Sequence, residues 1–303
     1  MKEILQSIAG DKYVWEKESM AGHTTFRAGG NADYYVVAED IGVLKKILQA
    51  VAKEKCPFFI IGNGSNLLVS DHGYKGVVVE LGSGFKQVET AEGMLKAGAG
   101  VMLSKAANTA WEYGLRGMEF ASGIPGTVGG AVVMNAGAYS GEIKDIIVSA
   151  SVMNPEGEIM KLGKEELALS YRHSVITEKE YIVLGAEFEL ESGERNEIGA
   201  LMQEYSRRRK EKQPLEYPSA GSTFKRPEGY FAGKLIQDSG LAGYTVGGAQ
   251  VSEKHCGFVI NKNHATASDI IQLIGNVQRI VLEKQGVMLQ PEVKIIGDVR
   301  CNL

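Results

Sequence analysis

Residues 122–138 read Ser-Gly-Ile-Pro-Gly-Thr-Val-Gly-Gly-Ala-Val-Val-Met-Asn-Ala-Gly-Ala, placing five glycines and one proline in 17 positions without a charged side chain. A stretch like this brings backbone close to something. Glycine reaches left-handed conformations and lets a neighbour approach without a Cβ in the way, so a run of bare N–H groups can cradle an anion such as a pyrophosphate. A tight, buried structural turn uses the same residues, and the stretch alone does not decide between the two.

Glycine makes up 38 of the 303 residues, well above the usual level of about 7%. Proline is only 7 and no low-complexity tract occurs, so the excess sits in ordered turns. The length suits about two domains, and 44% apolar residues supply their cores. A net charge of −4 gives no global reason to expect nucleic acid. Cys56, Cys256 and Cys301 are odd in number and far apart, with no metal-ligand spacing. Neither a disulfide framework nor a metal site is expected. The thiols, a first segment without a signal-peptide core and the absence of an 18-residue uncharged apolar run point to a cytoplasmic chain that is not inserted in a membrane.

Along the chain, a short N-terminal helix leads to Thr24-Thr-Phe-Arg-Ala-Gly-Gly30, where Arg27 either faces a phosphate or simply flanks a turn. Residues 33–38 read as a strand, 39–55 as a helix with Ile41, Leu44, Ile47, Leu48 and Val51 on one face, and 58–61 as a second strand, a β-α-β unit. The turn Gly62-Asn-Gly-Ser-Asn66 that follows fails as a dinucleotide fingerprint, because the third glycine would fall at Leu67 and no helix follows. Its Asn63, Ser65 and Asn66 still offer donors at a bend. Ser104 is expected to cap a helix over 105–113, ending at Gly114. Residues 146–153, 158–162 and 181–190 read as strands, so the region is α+β. A helix from about 196 ends in the basic run 207–212, read as a solvated helix end for Arg207 to Lys210. Another spans 268–285, capped by Ser268 and stopped by Gly286.

The order Gly62-Asn-Gly-Ser-Asn66, Gly123-Ile-Pro-Gly-Thr-Val-Gly-Gly130, Asn135-Ala-Gly-Ala138 and Ser170-Tyr-Arg-His-Ser174 resembles the FAD-binding half of the UDP-N-acetylenolpyruvoylglucosamine reductases. Ala220-Gly-Ser-Thr-Phe-Lys225, Gly243-Tyr-Thr-Val-Gly-Gly248 and Gln290-Pro-Glu-Val293 look like that family's substrate domain. The resemblance covers about residues 20–297. It implies an FAD-binding domain of the vanillyl-alcohol-oxidase (PCMH) type in two subdomains, 1–80 and 81–195, and a C-terminal α+β substrate domain, 196–303. It also implies a reaction in peptidoglycan precursor synthesis: NADPH reduces the flavin, and hydride passes from flavin N5 to carbon 3 of UDP-N-acetylglucosamine enolpyruvate. A proton added at carbon 2 then gives UDP-N-acetylmuramate. No obligate protein partner is implied.

On this resemblance FAD is held by Arg27, by Gly62, Asn63, Gly64, Ser65, Asn66 and Leu67, and by Gly123, Ile124, Gly126, Thr127, Gly129 and Gly130. Asn135, Ala136, Gly137 and Ala138 complete that set. Adding hydride to an enol ether requires a cation at the adjacent carboxylate to stabilise the charge that develops there. Arg172 matches the family's arginine, and its guanidinium stays charged at any working pH. Ser222 matches the family's proton donor and Glu292 a glutamate near the same carbon; a serine is a weak acid that needs neighbours to make its proton mobile. Tyr171, Lys212, Lys225 and His255 are the implied substrate contacts.

Arg226 and His255 depart from the pattern, since some members carry amides there. The short link from Ser174 to Tyr181 matches the family's second type, which lacks an inserted tyrosine-bearing loop, and implies a more open cleft. The competing readings are another flavoprotein of the same fold acting on an alcohol or sugar, and a nucleotide-binding module without catalysis.

Overall fold

The computed structural model describes residues 1–297, so Cys301 lies outside the described residues. The chain forms two compact units interleaved in sequence: Met1–Trp15, Tyr34–Asn63 and Val77–Arg209 in the first; Glu16–Asp33, Gly64–Gly76 and the chain from Lys210 onward in the second. The expected boundaries at 80/81 and 195/196 were continuous cuts, whereas these units exchange segments.

A four-stranded sheet runs in the order Val14–Ser19, Asn31–Ala38, Tyr74–Leu81, Phe58–Ile61. The last two are parallel. The strand Tyr74–Leu81 therefore separates the two strands of the expected β-α-β unit. The helix Ile41–Lys53 between them starts where the Asp40 carboxylate accepts the Val43 N–H at 2.8 Å, and it buries Leu44, Ile47, Leu48 and Val51. Those are the residues its 3.6-residue period put on one face.

A five-stranded antiparallel sheet follows, in the order Ile159–Gly163, Ile147–Met153, Ile182–Glu189, Met94–Gly98, Val88–Ala91. Its apolar side joins Val101, Leu103, Val128, Val132 and Phe188 in the core of the first unit. The helix Arg195–Lys212 also belongs there as far as Arg209, with Ile198 buried and Met202 and Tyr205 packed on that core.

Two helix starts differ from expectation. The helix Leu103–Glu112 begins at Met102 without a side-chain cap, and Ser104 lies inside it. The helix Ala267–Gln285 is capped by Thr266, whose hydroxyl accepts the Asp269 N–H at 3.0 Å while Asp269 accepts the Thr266 N–H at 3.0 Å, a reciprocal capping box. Ser268, expected as the cap, instead donates its N–H (2.8 Å) and hydroxyl (2.6 Å) to Asp71, which also accepts the Ala267 N–H at 2.8 Å. Gly286 does end that helix, in the left-handed conformation.

This Asp71 anchor explains why residues 64–76 belong to the second unit. The strand Leu67–Val69 pairs in parallel with Lys294–Ile296, and the Asn261 side chain donates to the Phe26 carbonyl at 2.9 Å. Phe26, Leu68, Leu235, Ile270, Leu273 and Val277 share that unit's core. Among the described residues no helix is long and apolar enough to cross a membrane.

One ion cluster on the five-stranded sheet makes stability pH-dependent. The Glu187 carboxylate accepts from Lys161 at 2.7 Å and from Ser149 at 3.1 Å, with Lys96 at 3.2 Å. The Lys161 bond is the largest cause that lowers its pKa to about 2. A depressed carboxylate stabilises the fold above its unfolded pKa, near 4.3, and that contribution is lost as pH falls through the folded value. Glu187→Gln is therefore expected to lower the thermal midpoint by about 2–4 °C at pH 7, with the difference from wild type closing as pH drops from about 4 towards about 2. Thermal melts across that range check it.

Candidate functional site

Within the first unit the two glycine stretches meet. The Asn63 side-chain amide donates to the Pro125 carbonyl at 2.7 Å. Gly62 lies so close to Thr127 that a Cβ there would sit 2.5 Å from the threonine hydroxyl oxygen. Convergence of 62–66 with 122–138, required of two loops serving one ligand, is thus a local property of Gly62 and Asn63.

The opening stretch is not wholly a loop. Thr127 caps a helix Val128–Met134, its hydroxyl accepting the Gly130 N–H at 3.3 Å. Val128 N–H goes to Val101 O at 2.8 Å and Gly129 N–H to Ala99 O at 2.9 Å. Gly129 is buried against Ala99, where a Cβ would collide, so this glycine serves close packing. The N–H groups of Gly129 and Gly130 are thus engaged inside the protein. Gly123 and Gly126 donate their N–H groups to no acceptor among the described residues.

Asn135 ends this helix in the left-handed region (φ 42°) and is fully buried. Its amide donates to Glu142 at 2.6 Å and to the Ser170 carbonyl at 3.0 Å, and its oxygen accepts the Lys144 N–H at 2.9 Å. Assigned from the sequence as a cofactor contact, its side chain is used up within the protein. What it holds is the turn that carries Arg172.

Ser170 and His173 exchange two backbone hydrogen bonds of 3.1 Å each, leaving Tyr171 and Arg172 at the tip. Arg172 has φ 54°, a conformation L residues adopt at a cost of about 1 kcal/mol. Strain of this kind clusters at functional sites. The Arg172 guanidinium lies 5.0 Å from the centre of the exposed Tyr171 ring. Ser174, fully buried, secures the far side by donating to Val133 O at 2.7 Å.

The basic run divides. Arg207 and Arg208 both bind Glu204, at 2.9 and 2.6 Å, as a solvated helix end would. Arg209 does not: it is half-buried, and its guanidinium would stand 3.2 Å from a Cβ on Gly123. Burial lowers its pKa, with the nearby Tyr139 phenol acting in the opposite sense. Tyr139 is stacked on Tyr205 at 4.3 Å and donates to the Tyr205 carbonyl at 3.0 Å. Reading the run as uniform concealed Arg209, whose distinction is visible only in three dimensions.

In the second unit, Ser222, Glu292 and Asn66 hang on one backbone network. Glu292 N–H donates to Thr223 O at 2.8 Å, Lys225 N–H to Gln290 O at 2.8 Å, and the Asn66 amide to Glu292 O at 3.1 Å. The 222–225 and 290–293 motifs therefore lie side by side. Thr223 is the buried anchor, donating its N–H to Gly257 O at 2.8 Å and accepting the Val259 N–H at 2.9 Å. Ser222 beside it is exposed.

His255 is half-buried, and its Nδ1 accepts the Gly257 N–H at 3.1 Å. Burial lowers its pKa and so favours the neutral ring, whose proton sits on Nε2 while Nδ1 accepts. Lys225 is half-buried, while Lys212 and Arg27 are exposed. Among the described residues no group of three or more acidic, cysteine or histidine side chains is placed to hold a metal ion.

Residues 32–163 match a family model described as an FAD binding domain, and residues 213–296 match one described as UDP-N-acetylenolpyruvoylglucosamine reductase, C-terminal domain. These matches bear out the expected fold class, an FAD-binding domain of the vanillyl-alcohol-oxidase (PCMH) type with a C-terminal α+β domain. The UDP-N-acetylenolpyruvoylglucosamine reductase of Agathobacter rectalis is 54% identical over 93% of this chain and 94% of its own. That of Clostridioides difficile is 50% identical over 97% of each. The crystal structure of the Thermus caldophilus reductase superposes with a TM-score of 0.80 at 34% identity, covering 93% of this chain and 97% of that one. On this similarity over nearly its whole length, the chain belongs to the UDP-N-acetylenolpyruvoylglucosamine reductase family.

Proposed function

We propose that this chain reduces UDP-N-acetylglucosamine enolpyruvate to UDP-N-acetylmuramate in peptidoglycan precursor synthesis, with FAD as its cofactor and NADPH as the electron donor. The observation that supports the assignment of roles is the bond from Glu292 N–H to Thr223 O, which ties the segment of the candidate proton donor to that of the candidate glutamate. A flavin suits the residues present. The turn at 63–65 and the backbone at Gly123 and Gly126 offer N–H groups without internal acceptors, and backbone nests of this kind suit a diphosphate.

When bound, FAD takes hydride from NADPH and supplies it to carbon 3 of the enolpyruvyl group. The protein's own residues do the rest. Arg172, held at the tip of its turn, offers a guanidinium fork to the substrate carboxylate and stabilises the charge that develops there. Ser222 delivers a proton to carbon 2, and Glu292 supports the charge change from the neighbouring segment. Lys225, three residues on and tied by its backbone to Gln290, helps resupply that proton. Tyr171, Lys212 and His255 contact the substrate, His255 as a neutral donor.

We assign the two cofactor subdomains to 1–80 and 81–195 and the substrate part to 196–303, apart from residues 16–33 and 64–76, which group with the chain from Lys210 onward, and 196–209, which group with the first unit. A cytoplasmic location fits a substrate made from a nucleotide sugar. The alcohol- or sugar-oxidising alternative is not favoured by the relatives. Purified protein is expected to be yellow and to consume NADPH stoichiometrically with added UDP-N-acetylglucosamine enolpyruvate. A colourless chain, or a flavin that an alcohol or sugar reduces and the enolpyruvate does not reoxidise, would overturn the proposal.

A further inference from the structure

The Thr25 hydroxyl is the one buried side-chain oxygen or nitrogen without a hydrogen-bond partner among the described residues. Leaving such a group unmatched is costly enough that buried hydroxyls are ordinarily paired. Its surroundings are rigid. Thr25 N–H donates to Gly64 O at 3.2 Å, Thr24 is buried and its hydroxyl donates to Ala28 O at 3.3 Å, and Phe26 is fully buried with its carbonyl bound by Asn261. The hydroxyl is thus fixed beside the turn 64–65.

That turn supplies the second observation. Gly64 is buried, with φ 58°, and the His23 carbonyl presses on the space where a Cβ would stand, so only glycine fits. The N–H groups of Gly64 and Ser65 also meet no acceptor among the described residues. Gly64 is a buried residue and Ser65 half-buried, and buried backbone N–H groups are ordinarily paired. Three donors in one short region, none engaged, call for a ligand that brings several acceptor oxygens, and a phosphoryl group does so.

We infer that Thr25 is a cofactor-binding residue whose hydroxyl donates to the diphosphate of the bound dinucleotide, completing with Gly64 and Ser65 N–H a donor set for one phosphoryl group. This rests on the FAD reading and assigns to Thr25 a role that the motif comparison left empty. The hydroxyl is kept in the core for its ligand, and its cost is offset only when the cofactor is bound.

Thr25→Val replaces the hydroxyl by a methyl of similar size, and Thr25→Ser keeps the hydroxyl. Serial dilution of each holoprotein, followed by the fluorescence of released flavin, gives the FAD dissociation constant. Exchange against added riboflavin gives the preference for the diphosphate-bearing cofactor. Thr25→Val is expected to weaken FAD about 10- to 100-fold, as loss of a hydrogen bond to a charged group does, and to weaken riboflavin little. Thr25→Ser is expected to stay near wild type. FAD affinity in Thr25→Val within about twofold of wild type would overturn the inference, since an ordered water then satisfies the hydroxyl. Equal weakening of FAD and riboflavin would also overturn it, by placing the hydroxyl at the ring system. If Thr25→Val fails to fold, Thr25→Ala gives the same comparison. Wild-type protein that retains no FAD would refute the parent reading without involving Thr25.

Discussion

Ser222→Ala is expected to leave the reduction of bound flavin by NADPH within about twofold of wild type and to slow its reoxidation by the enolpyruvate substrate about 10²- to 10⁴-fold, the range for loss of a positioned general acid. The asymmetry follows from the structure. Thr223, not Ser222, holds this segment, through its bonds to Gly257, Val259 and Glu292. Ser222 is exposed beside that anchor, so removing its hydroxyl takes away the proposed proton donor and leaves the bonds made by Thr223 in place. Stopped-flow measurement of both half-reactions separates the cases. An equal fall in both would make Ser222 a positioning residue.

Arg172→Gly has the second large effect, with an unusual signature. Arg172 occupies a left-handed turn position, φ 54°, between the paired residues Ser170 and His173. Glycine takes that conformation without the roughly 1 kcal/mol penalty, although its own flexibility costs about 0.5–1 kcal/mol. The thermal midpoint is therefore expected to stay within about 2 °C of wild type, while substrate reduction falls about 10²- to 10³-fold, as when a charge-stabilising donor is lost. Calorimetry alongside single-turnover kinetics tests the pair. Full activity in Arg172→Gly would exclude a role at the carboxylate, and a large stability loss would make the arginine structural.

Much of this was legible in the sequence, and what escaped did so for physical reasons. The motifs at 62–66, 170–174, 220–225 and 290–293 identified their segments because each combines unusual residues in a fixed order. The helix Val128–Met134 was hidden by Gly129 and Gly130, which lower helix propensity; its stability comes from the Thr127 cap and from packing against Ala99. The Thr266 cap was readable, since Thr266 with Asp269 three residues on forms a capping box and Ser268 has no such partner. Interleaving of the units was not readable. The pairing of Leu67–Val69 with Lys294–Ile296, and of Asp71 with Ala267 and Ser268, spans about 200 residues and leaves no local periodicity.

Asn135 and Arg209 illustrate the same limit at the site. The sequence placed Asn135 at the cofactor, because its motif lies there. In the structure its side chain closes the helix and holds Ser170, at the base of the turn that carries Arg172. Arg209 looked like one member of a solvated run until its guanidinium was seen against Gly123.

The central claim is that this chain passes electrons from NADPH through FAD to an enolpyruvyl ether. Its most direct test is anaerobic: the protein is bleached with one equivalent of NADPH, then mixed with UDP-N-acetylglucosamine enolpyruvate while the flavin absorbance is followed. The account predicts complete return of the yellow colour with one UDP-N-acetylmuramate formed per flavin. Flavin that stays reduced with this substrate would contradict it.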